Sequence, residues 1–446
     1  MLTGPFTGTT LHEMAGRLRA GADDPVALVE RVLAAVDASQ PSLNAFVTVD
    51  HDGAVRAATA ARDELAGGLD RGVLHGIPVA VKDIVDTAGL RTTMGSRHFA
   101  DHVPTADAEV VRRLRAAGGV VVGKTTTHEF AFGPTGDRAA NGPGANPHDP
   151  MRMAGGSSAG SAAAVGAGLV PLAVGTDTGG SVRIPAALCG VVGIRPSFGL
   201  VPTDGVFPLA WSLDTVGVLA GDVAAALVGW QVLSGQPGSE TVAIAGLRVG
   251  LVADAWFDRL ADEVRERFAG LVARLTAAGA SVAPAPFSDA AELRQVYATV
   301  QSAEAVAIHH ERLTDAPELF DDEVGQRLRV AAEVPAFEYV RAVRRQVDVR
   351  ASAGGRLDGF DVLLVPTVPV VAPLLGARDT DIGGGWTSPR DALLAHCAPW
   401  SVLGLPSLSV PIAGPGLPVG AQLIGAPGGD RRLLAVAQAV EALQND

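Results

Sequence analysis

Lysine is nearly absent from this chain. Of 446 residues only Lys82 and Lys124 are lysines, and arginine supplies the remaining basic groups. A guanidinium keeps its proton at any accessible pH and cannot serve as a base. A lysine retained against that bias therefore marks a position where an amine able to become neutral is of use. Cysteine is as scarce: Cys189 and Cys397 are too few for a disulfide framework, and no CxxC pair suggests a metal site. Both are expected to be packing residues. Aromatic residues make up 4%, so Ala, Val, Leu and Gly must fill the interior. Long apolar runs are missing too. The longest, Ala162 to Val174, is interrupted by Gly166, Gly168 and Pro171 and falls short of the ~20 residues a membrane span requires. The opening "MLTGPFTGTT" has neither a basic nor an apolar leader region, so a cytoplasmic protein without a membrane role is expected. A net charge of −13 with no basic stripe argues against direct nucleic-acid binding; the Arg112–Arg115 and Arg341–Arg350 clusters read as helix faces.

What is present is an alternation of apolar strands and helices. Asp24 before Pro25 reads as an N-cap with proline at the first helical position, followed by Val29, Val32, Leu33 and Val36 at helical spacing. Strands are expected at 77–84, 120–122, 172–174, 191–194, 247–252, 361–364, 408–410 and 419–423. Helices are expected at 106–117, from the end of a long Gly/Pro/Ser loop (133–158) to Gly168, and at 431–443. This pattern implies an α/β fold, a single α/β/α domain whose large, mostly parallel or mixed central sheet is covered by helices on both faces. One domain is expected over 1–446, with a helical lead-in (1–62), a core (70–230) and a remainder that completes the sheet and shapes a pocket (231–446).

Three segments carry chemistry: "HGIPVAVKD" with Lys82, "AGGSSAGSA" with Ser157, and "GTDTGGSVR" with Ser181. An apolar strand delivers one amine, while two Gly-rich loops expose hydroxyls and backbone N–H groups, the parts that acyl transfer needs. In Gly175–Ser181, consecutive glycines let several N–H groups converge on one small volume, which suits an oxyanion; a tight strand–helix turn would use the same residues. Two other matches fail on context. Gly156-Ser157-Ser158-Ala159-Gly160 fits GxSxG, but that elbow must cap an apolar strand, and "NPHDPMRMA" is turn-rich; nothing places His309, His310 or His396 beside Ser158. Gly118 to Thr125 fits GxxxxGK[ST], but a helix-like segment precedes it and a Val triplet lies inside it, so Lys124 reads as a structural lysine at a strand end. His75 reads as a loop residue bonded to backbone. His128 and Glu129 are adjacent without a third ligand, so no metal is expected.

Together "LHGIPVAVKD", "GKTTTHEFAFG", "GGSSAGSAAAV", "GTDTGGSVRIPAALCGVVGIRPS", "VLLVPTVPVVAP" and "LPSLSVPIAGPGLPVGAQLIG" resemble the amidase signature family over nearly the whole chain. The resemblance implies an α/β/α fold and a serine–cis-serine–lysine triad. Lys82 matches the family lysine, Ser157 the bridging serine after a cis peptide, and Ser181 the nucleophile. The oxyanion hole falls on the N–H groups of Thr178, Gly179, Gly180 and Ser181, and Ser158, Asp177 and Arg183 match positions that support the nucleophile loop. Two departures stand out: Thr126 replaces a common Asn, and Pro202-Thr203-Asp204-Gly205 replaces the Ser-Arg-Tyr-Gly typical of glutamyl-tRNA amidotransferase A subunits. The expected activity is cofactor-free hydrolysis of a small-molecule, non-peptide amide. The alternative is glutamine hydrolysis within a tRNA-dependent amidotransferase complex, and the expected assembly is a homodimer. For this chemistry the Lys82 amine must fall from ~10.4 toward ~7–8. Burial among Ile77, Val79 and Val81 would do this, with Asp83 directed to the other face of the strand. Residues 290–350 and 370–400 are expected to shape the acyl pocket.

Overall fold

The computed structural model describes residues 4–445; Met1–Thr3, the start of the stretch read for a leader, and Asp446 lie outside the described residues. The strands are β1 (Phe46–Val49), β2 (Pro78–Lys82), β3 (Val120–Thr125), β4 (Leu172–Asp177), β5 (Val192–Arg195), β6 (Thr215–Ala220), β7 (Arg248–Ala253), β8 (Ser281–Pro286), β9 (Val362–Pro366), β10 (Ser407–Pro411) and β11 (Gly420–Ile424). They form one 11-stranded sheet in the order β1-β3-β2-β4-β6-β5-β10-β11-β9-β7-β8.

The fold is α/β, and the sheet is mixed. Parallel pairing is confined to β2 with β3 and β4, and to β7 with β8 and β9. The remaining pairs, β1–β3, β4–β6, β6–β5, β5–β10, β10–β11 and β11–β9, are antiparallel. Strand–helix alternation implies more parallel pairing than this, because it overlooks β6. That strand is fully buried between β4 and β5 and opposes both, yet it follows an irregular stretch with no helix to announce it. Two further strands lacked a sequence signal. β1 is short and interrupts the helical lead-in, and β8 carries two prolines, tolerated because it is an edge strand.

Helix Pro25–Leu43 starts as its sequence dictates: the Asp24 carboxylate accepts from the Val26 and Ala27 N–H groups, and Leu28, Val29, Val32, Leu33 and Val36 are buried. Arg112, Arg113 and Arg115 lie on helix Glu109–Ala116, and the Arg341–Arg350 cluster on helix Ala336–Ala351. Cys189 and Cys397 are buried free thiols. Adjacent parallel strands place the site. β2 and β4 are parallel and in register at Ala80–Ala173 and Val81–Val174, so Lys82 and the loop after Asp177 emerge at the same, C-terminal, end of these strands. Helix Ala159–Gly166 packs across this pair. Its small residues permit close approach: a Cβ on Gly160 would lie 2.2 Å from the Ala45 carbonyl oxygen and 2.4 Å from the Thr126 nitrogen. The helix thereby carries Ser157 and Ser158, at its start, down onto the strand ends.

Candidate active site

Lys82 is fully buried at the end of β2. Its Nζ lies 2.6 Å from Ser157 Oγ and 2.7 Å from Thr176 Oγ1 and is hydrogen-bonded to both. Burial pulls the amine down to about 7, against Asp214 and Asp177, which favour the charged form. Asp83 takes no part in this balance: its carboxylate accepts from Thr93 N (3.0 Å) and Thr93 Oγ1 (2.5 Å), and its charge acts on Lys124. Asp83 lies just past the strand end, in the turn that follows Lys82, where Thr93 holds its carboxylate.

Ser157 follows a cis Gly156–Ser157 peptide. Its carbonyl accepts from the His128 N–H (3.1 Å) and Thr127 Oγ1 (3.2 Å). Ser158 N–H donates to the Ser181 carbonyl (3.2 Å), so the two Gly-rich loops are joined directly. The Ser158 hydroxyl is occupied by the backbone of Thr176, accepting from its N–H and donating to its carbonyl, each at 3.3 Å. Ser158 therefore stitches the serine loop to β4. Ser181 is 6% exposed while Lys82 and Ser157 are completely covered, so of the three functional groups only the Ser181 side reaches solvent.

The loop around Ser181 is held by charge. Arg183 donates to Asp177 through Nη2 to Oδ1 (2.8 Å) and Nε to Oδ2 (2.9 Å), and Arg195 lies 3.4 Å from the same carboxylate. All three are buried. Although burial alone would raise it, the Arg183 and Arg195 charges hold the Asp177 carboxyl well below the usual range. Asp177 also accepts from the Gly180 and Val182 N–H groups (2.8 and 3.2 Å). Gly180, at φ +131, sits where a Cβ would come within 2.5 Å of Cys397 Cβ. Of the four N–H groups implicated by resemblance, that of Gly180 is thus already paired with Asp177; among the described residues those of Thr178, Gly179 and Ser181 take no protein partner.

The other sequence candidates fall elsewhere. Lys124 is buried, donates to the Val85 carbonyl and to Thr87 Oγ1 (2.9 Å), and is pulled down to about 8 by burial against Asp83 and Asp86. It braces the segment after β2 and sits in β3, not in a phosphate-wrapping loop. His75 accepts from the Arg71 N–H (3.1 Å). His309 packs against Phe130, Phe207 and Phe320, His396 contacts the Pro366 carbonyl, and His310 is exposed. None is hydrogen-bonded to Ser158. Thr126 recovers its local bonding: its hydroxyl donates to the Asn44 carbonyl (2.7 Å) and accepts from Asn141 (2.9 Å).

Sequence reasoning missed several participants. Thr176, the second bond of Lys82, lies inside a quoted motif but was assigned nothing. Asp214, pushed up to about 6 by burial, accepts from Thr178 Oγ1 (2.6 Å) and from the Leu209 and Ala210 N–H groups; its irregular surroundings carry no motif. Ser181 opens onto a cleft lined by Phe132, Pro134, Tyr297, Gln301, Arg390 and Leu394. The last four come from helices Ala290–Asp315 and Pro389–Ala395, within the two stretches expected to shape a pocket.

A mixed α/β sheet presenting a buried amine–hydroxyl pair beneath a Gly-rich loop is the arrangement of an amide-cleaving hydrolase. The family model described as Amidase matches residues 27–434, and the chain belongs to that family. It is 36% identical to the 2-amino-5-chloromuconic acid deaminase of Comamonas testosteroni, over 97% of this chain and 96% of that one. It is 32% identical to the A subunit of the glutamyl-tRNA(Gln) amidotransferase of Lachnospira eligens, over 93% and 94%. A crystal structure of an amidase superposes with a TM-score of 0.91 at 37% identity, covering 97% of this chain and 99% of that one. The protein is an enzyme of amide C–N bond hydrolysis. Among the described residues no helix is long and apolar enough to cross a membrane.

Proposed function

We propose that the enzyme hydrolyses a small carboxylic, non-peptide amide through a serine acyl-enzyme, with Ser181 as nucleophile, Ser157 as proton relay and Lys82 as base. The carrying observation is the buried Lys82 amine, 2.6 Å from Ser157 and lowered to about 7, which can be neutral at working pH and receive a proton. Ser181 Oγ attacks the carbonyl as its proton passes through Ser157 to Lys82. The oxyanion is received by the N–H groups of Thr178, Gly179 and Ser181, with that of Gly180 shared with Asp177. The proton returns through Ser157 to the departing amine, and water then cleaves the ester. Asp177, Arg183 and Ser158 hold the loops in place. We read the chain as a single domain, working in the cytoplasm as a homodimer.

Fluorophosphonate labelling followed by peptide mass mapping tests the assignment: the adduct is expected on Ser181, and Ser181→Ala should abolish both adduct and amide turnover. An adduct on Ser158 would overturn it. The similarity to an amidotransferase component favours a second reading, glutamine hydrolysis within a larger complex, against which stands Pro202–Gly205 in place of Ser-Arg-Tyr-Gly. Turnover of a non-glutamine amide by the purified chain alone decides for the hydrolase; glutamine-only activity that requires co-purifying proteins decides for the alternative.

A further inference from the structure

The charges around the Ser181 cleft are unevenly paired. Arg378 and Arg138 bond Asp137 and Glu323, Arg294 lies 3.4 Å from Asp391, and Arg327 lies 3.8 Å from Glu323 and 3.1 Å from His128 Nε2. Arg390 differs. It lines the cleft beside Ser181, enters no ion pair or hydrogen bond among the described residues, and its Nε is buried without an acceptor. A buried guanidinium nitrogen left without a partner is costly, and proteins pair such groups or use them. Among the described residues no carboxylate lines the same cleft.

The same cleft holds a neutral donor. Tyr297 is buried directly against the nucleophile loop: a Cβ on Gly179 would come within 2.2 Å of its Oη. Gln301 Nε2 donates to that oxygen at 2.5 Å, which leaves the phenolic proton free to be given away. Burial pushes the phenol up to about 12, so it remains a donor at every working pH. An unpaired guanidinium and a phenolic O–H facing a cleft without acids form a receptor for a planar anion, since an Arg fork and a hydroxyl match carboxylate geometry.

We propose that the amide delivered to Ser181 bears a separate carboxylate, held by Arg390 and the Tyr297 hydroxyl, so that the substrates are monoamides of small dicarboxylic acids or similar acid-bearing amides. This rests on Ser181 as the nucleophile and adds the substrate class. An anion here brings Arg390 an acid partner that it lacks among the described residues, while a cationic amide would meet uncompensated positive charge.

The test uses straight-chain dicarboxylates of three to six carbons and diols of equal length as competitors of fluorophosphonate labelling, each protein being compared with its own unprotected rate at fixed ionic strength. At least one dicarboxylate should protect the wild-type protein at concentrations where its matching diol does not. Arg390→Gln should raise the protecting concentration about 10- to 100-fold, the worth of a charge-assisted hydrogen-bonded contact, and Arg390→Lys should fall between. Equal protection by diols, or a change below threefold in Arg390→Gln, overturns the proposal. Calorimetric titration of the same dicarboxylates into wild-type and Arg390→Gln protein reads the anion site without any labelling. Failure of Ser181 to label, with dicarboxylate binding intact and dependent on Arg390, would overturn the nucleophile and leave the anion site standing.

Discussion

If Lys82 must be neutral to accept the proton, acylation of Ser181 should follow the neutral fraction of one amine that titrates at about 7. Measured with an uncharged reagent, the rate should reach a plateau near pH 8.5, fall to about half at pH 7, and then drop roughly tenfold per unit, to about one-tenth at pH 6 and one-hundredth at pH 5. An ordinary lysine at ~10.4 would be well under 1% neutral at pH 8, and the rate would keep climbing to pH 10. The two cases differ most between pH 8 and 10, where stopped-flow acylation or timed labelling separates them. Lys82→Met, of similar length and without an amine, should reduce the rate to background and erase the acid limb. Stability supplies a second reading with a definite sign. Between pH 7 and ~10.4 the unfolded chain binds a proton that folded Lys82 lacks, so the wild-type protein should lose stability relative to Lys82→Met by up to about 1.4 kcal/mol per unit as pH falls through that window, with no further change below 7. A rate that rises log-linearly from pH 8 to 10, or one flat down to pH 5, would refute the general-base role.

Two further substitutions probe the scaffold. Asp177→Asn removes the charge shared by Arg183 and Arg195 and leaves two buried guanidinium groups uncompensated; urea denaturation should show a loss of about 3–5 kcal/mol, and a loss under 1 kcal/mol would contradict the ion-pair argument. Gly160→Ala forces a methyl group toward the Ala45 carbonyl oxygen and the Thr126 nitrogen; thermal melts should register about 1–3 kcal/mol of destabilisation, and an unchanged melt would mean that the helix has room to retreat.

Much of the candidate site was legible because its signals are local in sequence. Lys82 stands out by the rarity of its type, and Ser157 and Ser181 by glycine-rich surroundings that only close backbone approach requires. Asp24–Pro25 marked its helix for the same reason: cap and first turn are neighbours in sequence. What escaped was set at long range. Asp214 meets Thr178 across 36 residues, and Tyr297 and Arg390 reach the cleft on helices whose position is decided by the sheet order. β6 was hidden because six mostly apolar residues after an irregular stretch do not reveal the direction in which they pair. Its antiparallel placement between β4 and β5 is a topological fact, settled only when the whole sheet closes.

Arg183 donates to Gln422 Oε1 at 2.6 Å, to Ser401 Oγ at 2.9 Å and to the Cys397 carbonyl at 3.1 Å, as well as to Asp177. The strap that fixes the Ser181 loop is therefore fastened to residues more than 200 positions further along the chain. During synthesis from the N-terminus, Lys82, Ser157 and Ser181 emerge long before Gln422 does. A chain still on the ribosome at Leu403 has all three side chains and only part of the clamp, and this contact of high sequence separation closes late. The loop that carries Ser181 thus has its full set of contacts only once the last strands are in place, a half-chain after the loop itself.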